Sequence, residues 1–377
     1  MLCCCADDRY FYDPTTHKYT VQKWLDDINK RYGGVDSILM WPTYTNIGAD
    51  DRSQFDLFEA MPGGLPGVRA AVDELHAAGV KVLIPYNPWD SGTLRCGPGM
   101  ATCGGDPSAT ADGAKGKCGG PATSKNPGVC DARIIDGLLK EMNADGFNGD
   151  TMGNIPSEFY TVSKHNNHSV AMEPEGGGGG VREGQSTANW DTMGWGYWKY
   201  NPTPQVDTWK WLDSRRMTNV CERWAQDHTH AIQGAWFNGV GFETWENVWG
   251  TWNGITEKDG EQARRVRTMM RFLGSRGYTS SQSWLPHSGT AYPDALYASY
   301  WPLEGSAGKV SSAAWTVVGR GTSQLTTYPT APTLSNIPTP PAGTKWYYYD
   351  LWAGIELDVK NLTLMVEKDG AFSIEES

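Results

Sequence analysis

The sequence predicts an α/β fold of the (β/α)8 TIM-type barrel class, and three observations carry that expectation. An amphipathic helix, a glycine break and a short apolar strand recur three times in the first 150 residues. Further short strands continue the series to residue 245. Aromatic and carboxylate side chains gather where those strands end, which in a barrel of parallel strands is the face that carries chemistry.

The first repeat is "TVQKWLDDINKRYGGVDSILMWPTY", an amphipathic helix over 20–32, a Gly-Gly break and a strand ending in Trp41 and Tyr44. In the second, "LPGVRAAVDELHAAGVKVLIPYNPWD", Leu65, Val68, Val72 and Leu75 mark one helix face. Gly79 ends that helix, and Val80 to Ile84 lead to Asn87, Trp89 and Asp90. The third, "DARIIDGLLKEMNADGFNGDTM", buries Ile134, Ile135, Leu138, Leu139 and Met142, and its strand opens at Asn148 and Asp150. Strands are expected at 169–175, 216–221 and 237–245, then a helix over 257–274 with Val266, Met269, Met270 and Leu273 inward. Because the helix at 20–32 comes almost at once, the first barrel strand is expected to be degraded or missing. No G-x-G-x-x-G or Walker A motif follows a strand, so nothing supports a nucleotide-binding sheet.

The barrel is expected over 1–305, with a Cys/Gly-rich insertion at about 91–130. Residues 306–377 read as a Pro-rich linker and a small, partial antiparallel β domain. The insertion holds Cys96, Cys103, Cys118 and Cys130 at spacings without a C-x2-C pair, which favours disulfides over zinc. With sequons at Asn167 and Asn361, this points to a secreted protein or one of the secretory pathway. The start "MLCCCADDRY" has no apolar h-region, so that route implies a longer N-terminus.

A formal charge of −11, from 43 acidic and 32 basic residues, argues against nucleic acid or an anionic membrane as partner. No apolar run of about 18 residues is present, and mean hydropathy is −0.51. Eighteen Trp and 17 Tyr against 9 Phe supply flat rings with polar handles, suited to a sugar-like ligand. The expected partner is therefore a carbohydrate, with sulfated or algal glycans among the candidates; no cofactor and no metal is called for. Oligomeric state is left open. His228 and His230 form an H-x-H on what reads as a polar helix surface, and no G-x-S-x-G or H-E-x-x-H is present.

Glycoside hydrolysis needs two carboxyl groups about the scissile bond, one protonated and one ionised. Read to their exits, the strands offer Asp150, Glu173, Glu175 and Glu243, with Trp41, Tyr44, Asn87, Trp89, Asp90, Asn148, Trp245, Glu246 and Trp249 as candidate substrate contacts. Alternation puts Glu173 and Glu175 on one side of their strand. Glu175 lies nearer the exit, and Glu243 ends its strand among Trp residues that would raise its pKa. A turn or cap is the competing role for Asp150, and a salt bridge that for each glutamate.

The order of a strand ending in Asp150 and then a strand ending in Glu175 resembles the α-amylase group and related retaining barrel glycosidases. That resemblance implies Asp150 as nucleophile after the fourth strand and a glutamate after the fifth as acid, with carboxyls about 5–5.5 Å apart. "PYNPWD", "DGFNGDTM", "EPEGG" and "GFETWENVWGTWN" also resemble a little-characterised family of glycosidase-like barrel proteins, some with a module similar to formylglycine-generating enzymes. The similarity spans roughly 35–275 and extends weakly to "YYYDLWAGIEL"; it names no substrate. The expected activity is a retaining glycosidase acting through a glycosyl-Asp150 intermediate. Its rival is a non-catalytic carbohydrate-binding barrel. A sugar isomerase or aldolase-type barrel would want a Lys or metal-binding His at a strand exit, and neither is found.

Overall fold

Eight parallel strands close on themselves. The computed structural model describes residues 2–5, 8, 10–42, 54–87, 128–152, 155–175, 193–198, 200–224, 226–248, 251–287, 296–305, 309–320, 325–328, 343, 345, 347–351, 354–357, 362–367 and 372–376. The chain divides into two compact units: Met1–Tyr197 with Met217–Gln226 and Glu243–Gly254, and Trp198–Arg216 with Asp227–Phe242 and Ile255–Ser377.

In the first unit, β1 (Leu2–Cys5) is followed by the antiparallel pair β2 (Tyr12–Asp13) and β3 (Lys18–Tyr19). Then come α1 (Val21–Tyr32), β4 (Ser37–Trp41), α2 (Asp56–Glu59), α3 (Gly64–Ala77) and β5 (Lys81–Tyr86). Next are α4 (Gly128–Met142), β6 (Gly146–Gly149), α5 (Ser157–His165) and β7 (Ala171–Pro174). The last barrel strands are β8 (Met193–Tyr197), β9 (Met217–Glu222) and β10 (Gly241–Trp245). A hairpin of β11 (Asn247–Val248) and β12 (Thr251–Trp252) follows.

The sheet order is β7-β6-β5-β4-β1-β10-β9-β8, and a parallel bridge between Glu175 and Trp195 joins its two ends. That bridge makes the sheet a barrel, and the fold is the TIM type. Its filling includes Leu39, Trp41, Leu83, Trp195, Cys221 and Trp245, all buried in one cluster. Helices cover the outside with the faces the sequence predicts. Trp24, Leu25 and Ile28 of α1 are buried, and so are Val68, Val72 and Leu75 of α3. Ile134, Ile135, Leu138, Leu139 and Met142 of α4 are buried as well. Each such side chain contributes roughly 1.5–3 kcal/mol. Strands β6 and β7 approach so closely that a Cβ on Gly146 would overlap the Ala171 carbonyl.

Two sequence expectations fail here. The first barrel strand is present as Leu2–Cys5, paired in parallel with β4 and β10. Four residues suffice for it, so a helix that begins at residue 21 leaves room for a strand before it. The sixth barrel strand, β8, was not foreseen, because "MGWGY" carries two glycines.

In the second unit, α6 (Thr208–Leu212) is capped by Asp207, whose side chain accepts from the Trp209 and Lys210 amides. Helix α7 (Thr229–Asn238) occupies the first residues of the expected 237–245 strand and stops at Gly239 in the left-handed region, φ 60°, where a Cβ would meet the Trp301 ring at 2.9 Å. His228, expected on a polar surface, is fully buried at the start of α7, its amide donating to Asp259 Oδ2 at 2.9 Å; His230 is exposed. Helix α8 (Glu257–Ser275) buries Met269 and Leu273 beside Trp236, Phe237 and Val318, with Val266 and Met270 only half-buried. Antiparallel strands complete this unit: β13 (Leu296–Glu304) with β14 (Val310–Gly319), β15 (Leu325–Tyr328) beside β18 (Leu362–Glu367) and β19 (Phe372–Glu376), and the pair β16 (Tyr348–Asp350) with β17 (Ile355–Leu357).

Cys96, Cys103 and Cys118 lie outside the described residues, as does the Cys130 side chain; Cys221 is buried and free. Asn167 of the first sequon is exposed, and Asn361 lies outside the described residues. No helix among the described residues is long and apolar enough to cross a membrane.

Candidate active site

Four consecutive barrel strands, β6 to β9, deliver Asp150, Glu175, Tyr197 and Arg223 at or just past their C-terminal ends. Asp150 is held by its backbone, its N–H donating to the Tyr86 carbonyl at 2.9 Å. Its Oδ2 accepts from Asn87 Nδ2 at 3.2 Å. Asn87 is in turn fixed by Gln54, which accepts its N–H at 2.7 Å and donates to its carbonyl at 2.6 Å. Glu175 donates its N–H to Gly149 O at 3.0 Å, and its Oε2 accepts the Thr151 N–H at 2.5 Å.

The Glu175 carboxyl lies close enough to that of Asp150 to act on its proton. Burial first, then the negative charge of Glu175, pushes the Asp150 carboxyl up to about 7; the Arg223 charge and the Thr151 N–H pull the other way. The Asp150 carboxyl therefore keeps its proton to higher pH than an exposed aspartate does.

A second polar group fills the barrel beneath. Glu173 is fully buried; its Oε2 accepts from Asn148 Nδ2 at 2.9 Å and its Oε1 from Asn219 Nδ2. Glu243 is also fully buried, and its Oε1 accepts the Trp245 indole N–H at 2.7 Å. Oε2 of Glu243 is buried with no hydrogen-bond partner among the described residues. Burial drives Glu173 up to about 7 against its two amide donors. Burial and then the Glu173 charge drive Glu243 to about 8. Glu173 and Glu175, assigned to one side by alternation, thus serve different places: Glu173 the interior, Glu175 the half-buried rim.

Trp41 and Trp245 are 6% and 3% exposed with ring centroids 4.8 Å apart, so they are interior rings rather than open stacking faces. Asn148 spends its amide on Glu173. Glu246 does not join the group: Arg31 binds it through both terminal nitrogens, at 2.7 Å to Oε2, and the Tyr32 hydroxyl donates at 3.4 Å. Its carboxylate anchors α1. Tyr44, Trp89, Asp90 and Trp249 lie outside the described residues.

Sequence reasoning passed over Arg223, Tyr197, Gln54 and Asn219. The Arg223 guanidinium lies over the rings of Trp245, Trp224 and Tyr197 at 4.5, 4.8 and 5.0 Å. The signal is "CER" at 221–223, where the arginine directly follows the end of a strand. Among the described residues no group of three or more His, Cys, Asp or Glu is placed to hold a metal ion.

No family model matches the chain, and no curated protein matches its sequence. Solved structures do match in fold. A maltogenic α-amylase, AmyB, from Thermotoga neapolitana superposes with a TM-score of 0.56 at 11% identity, covering 100% of this chain and 96% of that one. The α-amylase of Geobacillus thermoleovorans, solved with acarbose, gives 0.54 at 11%, covering 100% and 95%. AmyP in complex with maltose gives 0.54 at 10%, covering 99% and 95%. At these identities the likeness shows a shared barrel fold.

Proposed function

We propose that the protein is a glycoside hydrolase acting on an oligo- or polysaccharide, with Asp150 and Glu175 as its catalytic pair. The single observation that carries this reading is the placement of two carboxyls at neighbouring strand exits, one 6% exposed and one half-buried at the rim. The barrel fold shared with α-amylases, some solved with maltose or acarbose, supports a carbohydrate as substrate.

A sugar entering the rim parts the two carboxyls. Asp150 then loses the neighbouring negative charge that holds its proton, while Arg223 still favours its ionised form. The proton passes to Glu175 as the pair opens. Glu175 donates it to the glycosidic oxygen as the C1–O bond breaks, and an Asp150 oxygen bonds C1. Water then attacks C1, giving its proton to Glu175 and freeing Asp150. Glu175 is left protonated and Asp150 ionised, and the proton returns to Asp150 when the product leaves and the two carboxyls close again.

The test is leaving-group dependence in Glu175→Gln. A dinitrophenyl glycoside needs no acid, so its first-step release should survive, whereas cleavage of an ordinary alkyl glycoside should fall about 10²-fold or more. Equal retention of both removes Glu175 from the acid role.

A second reading, a carbohydrate-binding barrel without catalysis, draws on the same placement. If Asp150 and Glu175 stay closed on each other with glycan bound, no carboxylate reaches C1.

A further inference from the structure

We propose that Arg320, with His230 and Tyr200 beside it, forms a binding site for an oxyanion, the chemistry common to inorganic sulfate or phosphate and to the acidic group of a charged sugar. All three residues belong to the second unit, and none of them is part of the carboxyl pair. Three contacts lay the end of β14 along the start of α7. The Thr316 hydroxyl donates to the Phe237 carbonyl at 3.3 Å, Gln233 Nε2 donates to the Gly319 carbonyl at 3.1 Å, and Arg320 Nη1 donates to His230 Nδ1 at 2.9 Å. Residue numbers rise along the strand as they fall along the helix. Arg320 therefore arrives at the first turn of α7, the end where the helix dipole favours negative charge.

An arginine has no acceptor atom, so His230 Nδ1 accepts and the imidazole proton lies on Nε2. The Tyr200 ring rests against the His230 ring with centroids 4.2 Å apart, and the Arg320 guanidinium lies 5.5 Å from the Tyr200 centroid. What this guanidinium lacks is an acid. Arg264 and Arg265 share Glu261, and Arg215 holds Asp213. The acids at the start of α7 serve its backbone: Asp227 accepts the Thr229 N–H, and Asp259 the His228 N–H and the Thr229 hydroxyl, each at 2.9 Å.

Arg320 Nε is buried with no hydrogen-bond partner among the described residues. Burial pulls the guanidinium below its ordinary pKa, and only the Tyr200 and Tyr297 hydroxyls, no carboxylate, act against it. A cation half-buried without counter-charge is costly, and an oxyanion supplies both the charge and the missing acceptor. The Nε–Nη2 edge of a guanidinium is a fork that matches two oxygens of one carboxylate, sulfate or phosphate. Nη1 is spent on His230, so the ligand takes that edge. Tyr200, 53% exposed, and the exposed His230 offer flat rings on which a sugar carrying the acid can lie.

The test is nitrogen-15 NMR of the arginine side chains in the full chain, at constant ionic strength, as sodium sulfate or sodium phosphate replaces chloride. The Arg320 Nε–H resonance, assigned by its loss in Arg320→Gln, should move and saturate with a Kd on the order of millimolar. No movement up to about 50 mM of either anion overturns the proposal. Equal movement of Arg215, Arg264 and Arg265 also overturns it, since that is general screening. If Arg320→Gln fails to fold, His230→Ala at an exposed position removes the acceptor that orients the guanidinium. Binding should then weaken about threefold or more, and an unaltered response overturns the site. Glucuronic acid against glucose separates the two sources. Glucuronic acid binding about tenfold tighter than sulfate assigns the site to an acidic sugar, and sulfate binding as tightly assigns it to the free ion. Glucose moving the resonance as far as glucuronic acid does overturns the oxyanion chemistry.

Discussion

Thr151 donates its backbone N–H to Glu175 Oε2 at 2.5 Å while holding φ at 55°, a left-handed conformation that β-branched residues avoid. The contact ties the two strand exits that carry the carboxyl pair, and it is made at the expense of backbone strain. Thr151→Gly keeps the N–H and removes the steric conflict. Urea denaturation should show it more stable by about 1 kcal/mol. A loss of stability would mean that the threonine side chain, not the backbone, does the holding.

The buried acids set the pH dependence of stability. Glu243 is raised to about 8 in the folded protein by burial and by Glu173, against about 4.3 for an unfolded glutamate. Between those values the folded state binds more protons, so stability falls as pH rises, and the contribution of Glu243 is gone above about 8. Asp150 and Glu173, raised to about 7, act in the same direction. Each group accounts for at most about 1.4 kcal/mol per pH unit. Glu243→Gln keeps an acceptor for the Trp245 indole and has nothing to titrate. Its melting temperature should fall less steeply from pH 5 to 9 than that of wild type and should exceed wild type at pH 9. Parallel curves would show that Glu243 does not titrate in this range.

Arg31 and Glu246 join α1 to the end of β10 across 215 positions of sequence. The glutamate side chain is 8% exposed and the arginine 29%, so removing one partner leaves a charge only partly able to reach water. Glu246→Ala should lower the unfolding free energy by about 2 kcal/mol, measured in urea, without moving the Asp150 titration. A shifted Asp150 midpoint would couple Glu246 directly to the carboxyl pair.

What was legible in the sequence was whatever a local pattern encodes. The helix faces of α3 and α4 and the strands at 37–41 and 81–86 announce themselves by period and by unbroken apolar runs. Strands made of cysteine or glycine do not, which hid β1 and β8 and so the eight-strand count. Within the site, Asp150 and Glu175 could be named because each follows a strand. Period alone could not divide Glu173 from Glu175, since the pleat assigns a face but not a depth. Arg223 escaped because its importance lies in three rings brought from β8, β9 and β10, a relation only closure of the barrel creates.

The most direct measurement is reducing-sugar release by wild type and Asp150→Asn, across neutral and sulfated glycans and aryl α- and β-glycosides. Asparagine retains an acceptor for Asn87 but neither ionises nor forms the glycosyl ester. Release by wild type that drops at least about 10³-fold in the mutant is the expected result. Release undiminished in Asp150→Asn would contradict the assignment, and no release from wild type on any of these substrates, with glycan still bound, would leave a binding protein on an α-amylase-like barrel.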